Sequence, residues 1–181
     1  MIPVKSKPEN VFAQDKFIFS KIGFLPVKIC DEIIQYGQEF KNKGSYGPWK
    51  GKFEGCGLPL DHYIHSFLNE LWEESINFFD CNIDFIECYQ LKYYKFGYYF
   101  GLHTDHIPNL ENKIDRKLTM SVQLSNENNY KGGELVVAGN ILPKTIGSVF
   151  IFPSIFKHEV KPIGFGERWS LITWAWGEAY K

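Results

Sequence analysis

The stretch Tyr94-Lys95-Phe96-Gly97-Tyr98-Tyr99-Phe100-Gly101-Leu102-His103-Thr104-Asp105 sets the reading of the whole chain. In an extended segment, residues two apart leave the same face, so the His103 imidazole and the Asp105 carboxylate converge on one metal ion. His106 lies at an odd offset from both and points away.

Downstream, a hydrophobic run ends at Pro153, His158 opens the next strand-like run, and Arg168 stands ten residues further on. Two histidines and one carboxylate with open coordination positions suit non-haem iron(II). Zinc accepts the same donor types, but the open arrangement and a nearby anchor for a carboxylate favour iron. That anchor is read from alternation: Arg168, Ser170, Ile172 and Trp174 share one face of a strand, with Trp169, Leu171 and Thr173 on the other. Arg168 and Ser170 together offer a guanidinium fork and a hydroxyl to a carboxylate. The competing reading is an arginine in a structural salt bridge. Only Arg116 and Arg168 among the 20 basic residues are arginines, which points to a use of the planar fork rather than of charge alone. In the run from Leu118 to Leu124, the apolar Leu118, Met120, Val122 and Leu124 alternate with Thr119, Ser121 and Gln123. Two readings of that polar face stand: solvated, or lining a pocket.

Around these runs the pattern is short apolar segments separated by turns: 85–96, 118–124, 134–137, 148–152 and 168–176. An antiparallel sandwich or barrel follows, with mainly β structure and flanking helices. Phe17-Ile18-Phe19 reads as a short strand. Helical spacing runs from Val27 to Phe40 and again from Asp61, an expected N-cap, through Ile64, Phe67, Leu68, Leu71, Trp72 and Ile76. The glycine-rich 41–60 reads as a loop that shapes substrate entry. His62 and His65 have no third donor near them and read as surface-helix residues.

A chain of 181 residues with 44% hydrophobic and 17% aromatic content buries a core as one domain, 1–181. A net charge of −1 gives no basic bias, so a nucleic acid is not an expected partner. Cys30, Cys56, Cys81 and Cys88 form no CxxC pair and read as free thiols. Neither a signal peptide nor a membrane-length apolar run is present, so an intracellular, cytoplasmic protein without a membrane partner is expected.

The combined blocks resemble the iron(II)- and 2-oxoglutarate-dependent dioxygenases of the prolyl 4-hydroxylase-like superfamily, in particular short bacterial and phage-encoded members that act in a bacterial host. The pattern Tyr-x-x-Gly-x-x-Phe/Tyr-x-x-His-x-Asp is met by Tyr94, Gly97, Phe100, His103 and Asp105. Arg116 to Ser125 with Tyr130-Lys131-Gly132-Gly133-Glu134-Leu135 resembles the next strand pair. His158-x-Val160-x-Pro162, Gly166-x-Arg168-x-Ser170 and Trp174 complete it.

The resemblance implies a double-stranded β-helix, the cupin-like jelly roll, with a core at about 85–177 behind a helical and loop part at about 17–80. It implies Fe(II) held by His103, Asp105 and His158, with no further catalytic side chain. 2-Oxoglutarate would be bound by Arg168 and Ser170, with Tyr94, Gln123 and Thr119 as further contacts, and Trp174 and Tyr99 would shape the pocket. O2 is the co-reactant and ascorbate an expected reductant. The implied reaction is hydroxylation of a C–H bond, with a peptidyl proline first in expectation, coupled to decarboxylation of 2-oxoglutarate to succinate and CO2. A free amino acid or another small molecule is the alternative substrate, and a non-catalytic metal-binding cupin the alternative class. Nucleic-acid-demethylating relatives carry a second arginine six residues after the first, where this chain has Trp174.

Overall fold

The computed structural model describes residues 17–40, 51–59, 62–109 and 113–178. Their strands form two facing sheets, with a short two-stranded ribbon beside them. The larger sheet has the order β1 (Phe19–Lys21), β12 (Val149–Pro153), β8 (Ile114–Gln123), β15 (Arg168–Glu178), β5 (Gln90–Tyr94), β3 (Glu54–Gly57), with β4 (Phe85–Ile86) paired to β15 and β7 (Pro108–Asn109) to β8. The smaller has the order β11 (Asn140–Ile141), β10 (Leu135–Val137), β13 (His158–Val160), β6 (Tyr99–His103), β2 (Gly51–Lys52). The ribbon pairs β9 (Tyr130–Gly132) with β14 (Ile163–Gly166). Every pairing among the described residues is antiparallel, and the architecture is the expected jelly roll.

The alternation along the larger sheet decides where everything lies. Leu91 and Tyr93 of β5, Leu118, Met120 and Val122 of β8, Val149 and Ile151 of β12, and Trp169, Leu171 and Ala175 of β15 all join one buried apolar cluster. The helices α1 (Val27–Phe40) and α2 (Ile64–Phe79) complete it with Cys30, Ile33, Leu68, Leu71 and Trp72. Each fully buried Leu or Ile there stabilises the fold by roughly 1.5–3 kcal/mol. Helix and sheet approach so closely that a Cβ at Gly37 would overlap the Leu91 and Trp169 side chains. The opposite face of the same strands points between the sheets, where Phe150, Phe152, Leu135, Val137 and Val160 form a second cluster. Lys92 of β5, Thr119 and Ser121 of β8 and Arg168 and Ser170 of β15 lie on this inner side.

Two local expectations change. The glycine-rich stretch is not only a loop, because residues 51–57 supply β2 and β3, whose edge pairings tie the N-terminal part into both sheets. The rest of that stretch, 41–50 and Leu60, and the Asp61 cap lie outside the described residues. The helix after it begins at Ile64 rather than Asp61, with Tyr63 at the N-cap position and the His62 ring accepting from the Ile64 N–H at 3.3 Å. Among the described residues no helix is long and apolar enough to cross a membrane.

Candidate metal and cosubstrate site

β6 and β13 are antiparallel neighbours in which His103 lies directly opposite His158. Asp105 follows two residues after β6, and its N–H donates to the Ser154 carbonyl at 3.0 Å, which turns the chain back toward the histidines. One donor atom from each of His103, Asp105 and His158 then lies within 4.8 Å of the others, a group able to hold a metal ion. His103 Nε2 is 3.4 Å from Asp105 Oδ1, and His158 Nε2 is 3.2 Å from Oδ2.

Local hydrogen bonds orient all three. The Nδ1 atoms of His103 and His158 contact the carbonyls of Gly101 and Phe156, at 2.8 and 2.9 Å. A carbonyl only accepts, so each Nδ1 donates there and leaves Nε2 facing Asp105, the atom that would bind a metal ion once it is free of a proton. Thr119 Oγ1 donates to Asp105 Oδ2 at 3.0 Å and lies 2.9 Å from Ser154 Oγ. Burial on its own would raise the Asp105 carboxyl, but the hydrogen bonds from both histidines and the charge of His158 outweigh it and hold the group well below the usual carboxylate range. For His158, burial works to lower the imidazole, while its contacts with Asp105 and the Phe156 carbonyl raise it on balance. Metal in the group would take the place of that proton.

The inner faces of both sheets enclose a cavity of about 270 Å³ that reaches from this group to Arg168. Arg168 is 2% exposed and lies opposite Tyr94, with its guanidinium 5.4 Å from the Tyr94 ring centre. It donates to Ser170 Oγ at 3.1 Å and to Gln123 Oε1 at 3.0 Å, both neutral, and its Nε has no hydrogen-bond partner. Among the described residues no carboxylate pairs with it. A buried cation with neutral partners on the wall of a cavity is a receptor for an anion. Gly133 makes room for it, since a Cβ there would overlap Ile163 and press on the Arg168 stem.

Ser170, Tyr94, Thr119 and Trp174 line the cavity, and the face carrying Arg168, Ser170, Ile172 and Trp174 points inward as a row. The polar face of β8 is therefore not solvated: Thr119 and Ser121 line the cavity. Two placements differ from expectation. Gln123 is buried behind Arg168, where its Nε2 donates to Tyr130 Oη at 2.6 Å, so it orients the guanidinium rather than lining the cavity. Tyr99 is 40% exposed and does not line the cavity. The reason is an irregularity: the three steps along β6 from Phe100 to His103 span the interval that His158 to Val160 covers in two. That extra residue turns Phe100 and His103 both inward and leaves Tyr99 and Leu102 outside.

His106 pairs with Asp115 at 3.3 Å and stands outside the metal group, and neither His62 nor His65 belongs to it. Arg116, the other arginine, makes a two-pronged bond to Glu87 at 2.6 and 3.0 Å and lies over the Trp174 ring at 4.1 Å. Phe53, Lys92 and Arg116 line the cavity without having been singled out for it. Alternation would have found Lys92, two residues from Tyr94 on β5; nothing local marks Phe53, which enters from the glycine-rich stretch.

Fold and site define a jelly-roll protein with a His-x-Asp…His metal-binding group and an anion receptor in one cavity. The model of the 2OG-Fe(II) oxygenase superfamily matches residues 89–176, just under half of the chain. A PKHD-type hydroxylase of Alteromonas mediterranea is 34% identical over 83 residues, which are 41% of this chain and 37% of that protein. The chain thus spans well under half the length of the curated relatives it matches. Among solved structures, the viral collagen prolyl hydroxylase of Paramecium Bursaria Chlorella virus-1, in its 2OG complex, has a TM-score of 0.72 at 22% identity, covering 92% of this chain and 99% of its own. A Trichoplax adhaerens prolyl hydroxylase in complex with a hypoxia inducible factor peptide fragment has a TM-score of 0.67 at 17% identity, covering 88% and 83%. Over residues 89–176 the chain is similar to the 2OG-Fe(II) oxygenase superfamily and to PKHD-type hydroxylases, and it shares its fold with the prolyl hydroxylases. That similarity implies Fe(II) and 2-oxoglutarate, and the residues present fit both: three convergent donors for the ion, and a buried guanidinium with neutral partners for a carboxylate.

Proposed function

We propose that the protein hydroxylates a C–H bond of a prolyl residue in a peptide or protein, using Fe(II), O2 and 2-oxoglutarate, and converts the cosubstrate to succinate and CO2. The observation that carries this reading is the buried Arg168, which shares one cavity with the His103, Asp105 and His158 group and has only neutral partners. A structural salt bridge would have placed a carboxylate beside it. The prolyl hydroxylase-like kinship supports proline as the target, and the peptide bound to the Trichoplax adhaerens neighbour supports a peptide as its carrier.

In this reading His103, Asp105 and His158 hold the ion through Nε2, a carboxylate oxygen and Nε2. An iron ion held there would supply the activation of O2. The remaining work falls to the chain. Arg168 and Ser170 take the distal carboxylate of the cosubstrate, with Gln123 and Tyr130 fixing the fork behind it. Thr119 and Ser154 hold Asp105 in its rotamer. Phe100 and Phe152 pack on the imidazoles, at ring distances of 3.9 Å to His103 and 5.0 Å to His158, and keep water from their sides. Trp174 closes the wall with its Nε1 buried and unpartnered. No side chain is needed as general base.

The test is an anaerobic absorption titration with Fe(II) and then 2-oxoglutarate. A visible charge-transfer band requiring both additions is expected, absent in Asp105→Ala and needing at least tenfold more cosubstrate in Arg168→Ala. Metal binding without any such band in the intact protein would overturn the cosubstrate assignment.

A further inference from the structure

Trp174 buries a hydrogen-bond donor that no described residue takes. The side chain is 7% exposed and lines the cavity, and its Nε1 has no hydrogen-bond partner. A buried N–H left unmade costs stability, and a wall that needed only bulk would be served by phenylalanine, which brings no N–H to bury. The donor therefore calls for an acceptor inside the cavity.

Register places that acceptor. Trp174 of β15 lies directly opposite Thr119 of β8, and opposed residues of an antiparallel pair carry their side chains next to one another on one face. Thr119 Oγ1 already donates to Asp105 Oδ2 at 3.0 Å, so the indole stands beside the same carboxylate. The contact falls short of a hydrogen bond, yet it is felt: burial raises the Asp105 carboxyl, and after the two histidines the indole is a further donor that lowers it. The imidazole Nε2 atoms of His103 and His158 lie against the two carboxylate oxygens, at 3.4 and 3.2 Å. With those nitrogens turned to a metal ion, the lone pairs they face become open to another donor.

The indole is also held in one plane. The Arg116 guanidinium lies 4.1 Å over its ring and is gripped at both prongs by Glu87, which accepts from Trp176 Nε1 as well. Alternation along β8 would set Arg116 beside Leu118 on the helix-covered face. It lines the cavity instead, because the pairing shifts between Ala175 and Trp176 and leaves Lys117 as an additional residue. The strand is thus re-aimed at the point where it clamps Trp174.

We propose that Trp174 is a positioning residue for the metal group: in the metal-loaded protein its indole N–H donates to the Asp105 carboxylate and, with Thr119, holds it as a one-oxygen ligand. The inference rests on the metal assignment of the reading above and gives the cavity wall a role in ion binding besides its shape.

The experiment loads the protein with Zn(II), a diamagnetic ion that accepts the same donors, and follows the indole N–H signals of the five tryptophans by NMR, with Trp174→Phe identifying the one concerned. That signal moves downfield on loading and its exchange with solvent slows. Calorimetry with Mn(II) supplies an independent readout. Benzothienylalanine in place of Trp174 keeps the ring shape but has sulfur where the N–H was, and it weakens Mn(II) binding roughly 10- to 100-fold, as loss of a group that orients a ligand does. A purely steric role would leave that affinity within about twofold of wild type, which would overturn the assignment. So would an indole signal that ignores Zn(II), or one that moves only when 2-oxoglutarate is added, since the acceptor would then be the cosubstrate. Failure of the intact protein to bind Zn(II) and Mn(II) would instead remove the metal assignment on which the inference stands.

Discussion

Replacing Lys92 by methionine is expected to make the metal-free protein more stable at neutral pH. The lysine ammonium falls from 10.5 to about 8 in the fold because burial disfavours its charge. A shift of that size opposes folding by about 3 kcal/mol at pH 7. Because the folded-state value is the lower one, the unfolded chain binds the proton more tightly between about pH 8 and 10.5, and wild-type stability rises with pH across that window. Methionine keeps an unbranched apolar stem and has no charge to bury. It loses the bond to Gln90 and the contact with Phe53, about 1 kcal/mol each. The balance favours Lys92→Met by about 1 kcal/mol at pH 7. By about pH 9.5 the wild type has regained about 2 kcal/mol, so the order reverses. Urea denaturation of both proteins with a chelator present, at neutral pH and at about pH 9.5, measures the difference. A variant less stable than wild type by more than about 1 kcal/mol at pH 7, or a difference unmoved by pH, would refute the account of Lys92 as a buried charge kept at the expense of stability.

Other outcomes follow from the same geometry. Thr119→Val removes the hydroxyl that donates to Asp105 Oδ2 and is expected to weaken Fe(II) or Mn(II) binding roughly 10- to 100-fold by calorimetry, with little change in fold; unchanged affinity would show that Asp105 is held by its neighbours alone. In the metal-free protein the raised His158 contributes stability that is full below its ordinary value of 6.5 and is lost as pH rises through its folded value, so thermal unfolding should come earlier at pH 8.5 than at pH 6. That trend should be reduced or reversed by saturating metal, which holds His158 neutral, and a trend indifferent to metal would argue against ligation by this group. Gly133→Ala places a side chain at φ +66° against Ile163 and the Arg168 stem; a stability loss of about 2 kcal/mol is expected, together with weaker 2-oxoglutarate binding. Full retention of both would mean that the receptor tolerates a shift of the arginine.

Much of the site could be read along the chain because it is built from alternation. His103 and Asp105 two apart, the inward row Arg168, Ser170, Ile172 and Trp174, and the apolar row Leu118, Met120, Val122 and Leu124 each follow from a period of two, and the tertiary structure keeps each set together. The helix from Val27 to Phe40 has the boundaries its spacing announces. Strand identity and pairs of residues on one face are local properties, carried by the residues themselves.

What alternation leaves open is the sign of each face and every relation between strands. Whether Thr119 and Ser121 meet solvent or a cavity depends on the helices α1 and α2 having covered the other face, a contact between segments far apart in the chain. The facing of His103 and His158 is a matter of register, and the additional residue in β6 that turns Tyr99 outward leaves no mark in composition. Gln123 moves from expected contact to support for the same reason, since Arg168 reaches it across a pairing that only the sheet order creates. Donor types, their spacing along one strand and the apolar period were determined by the sequence. The convergence of donors from β6 and β13, the burial of Arg168 beside neutral partners and the presence of Lys92 in the same cavity were decided by tertiary structure, because each requires a long-range pairing that no local pattern encodes.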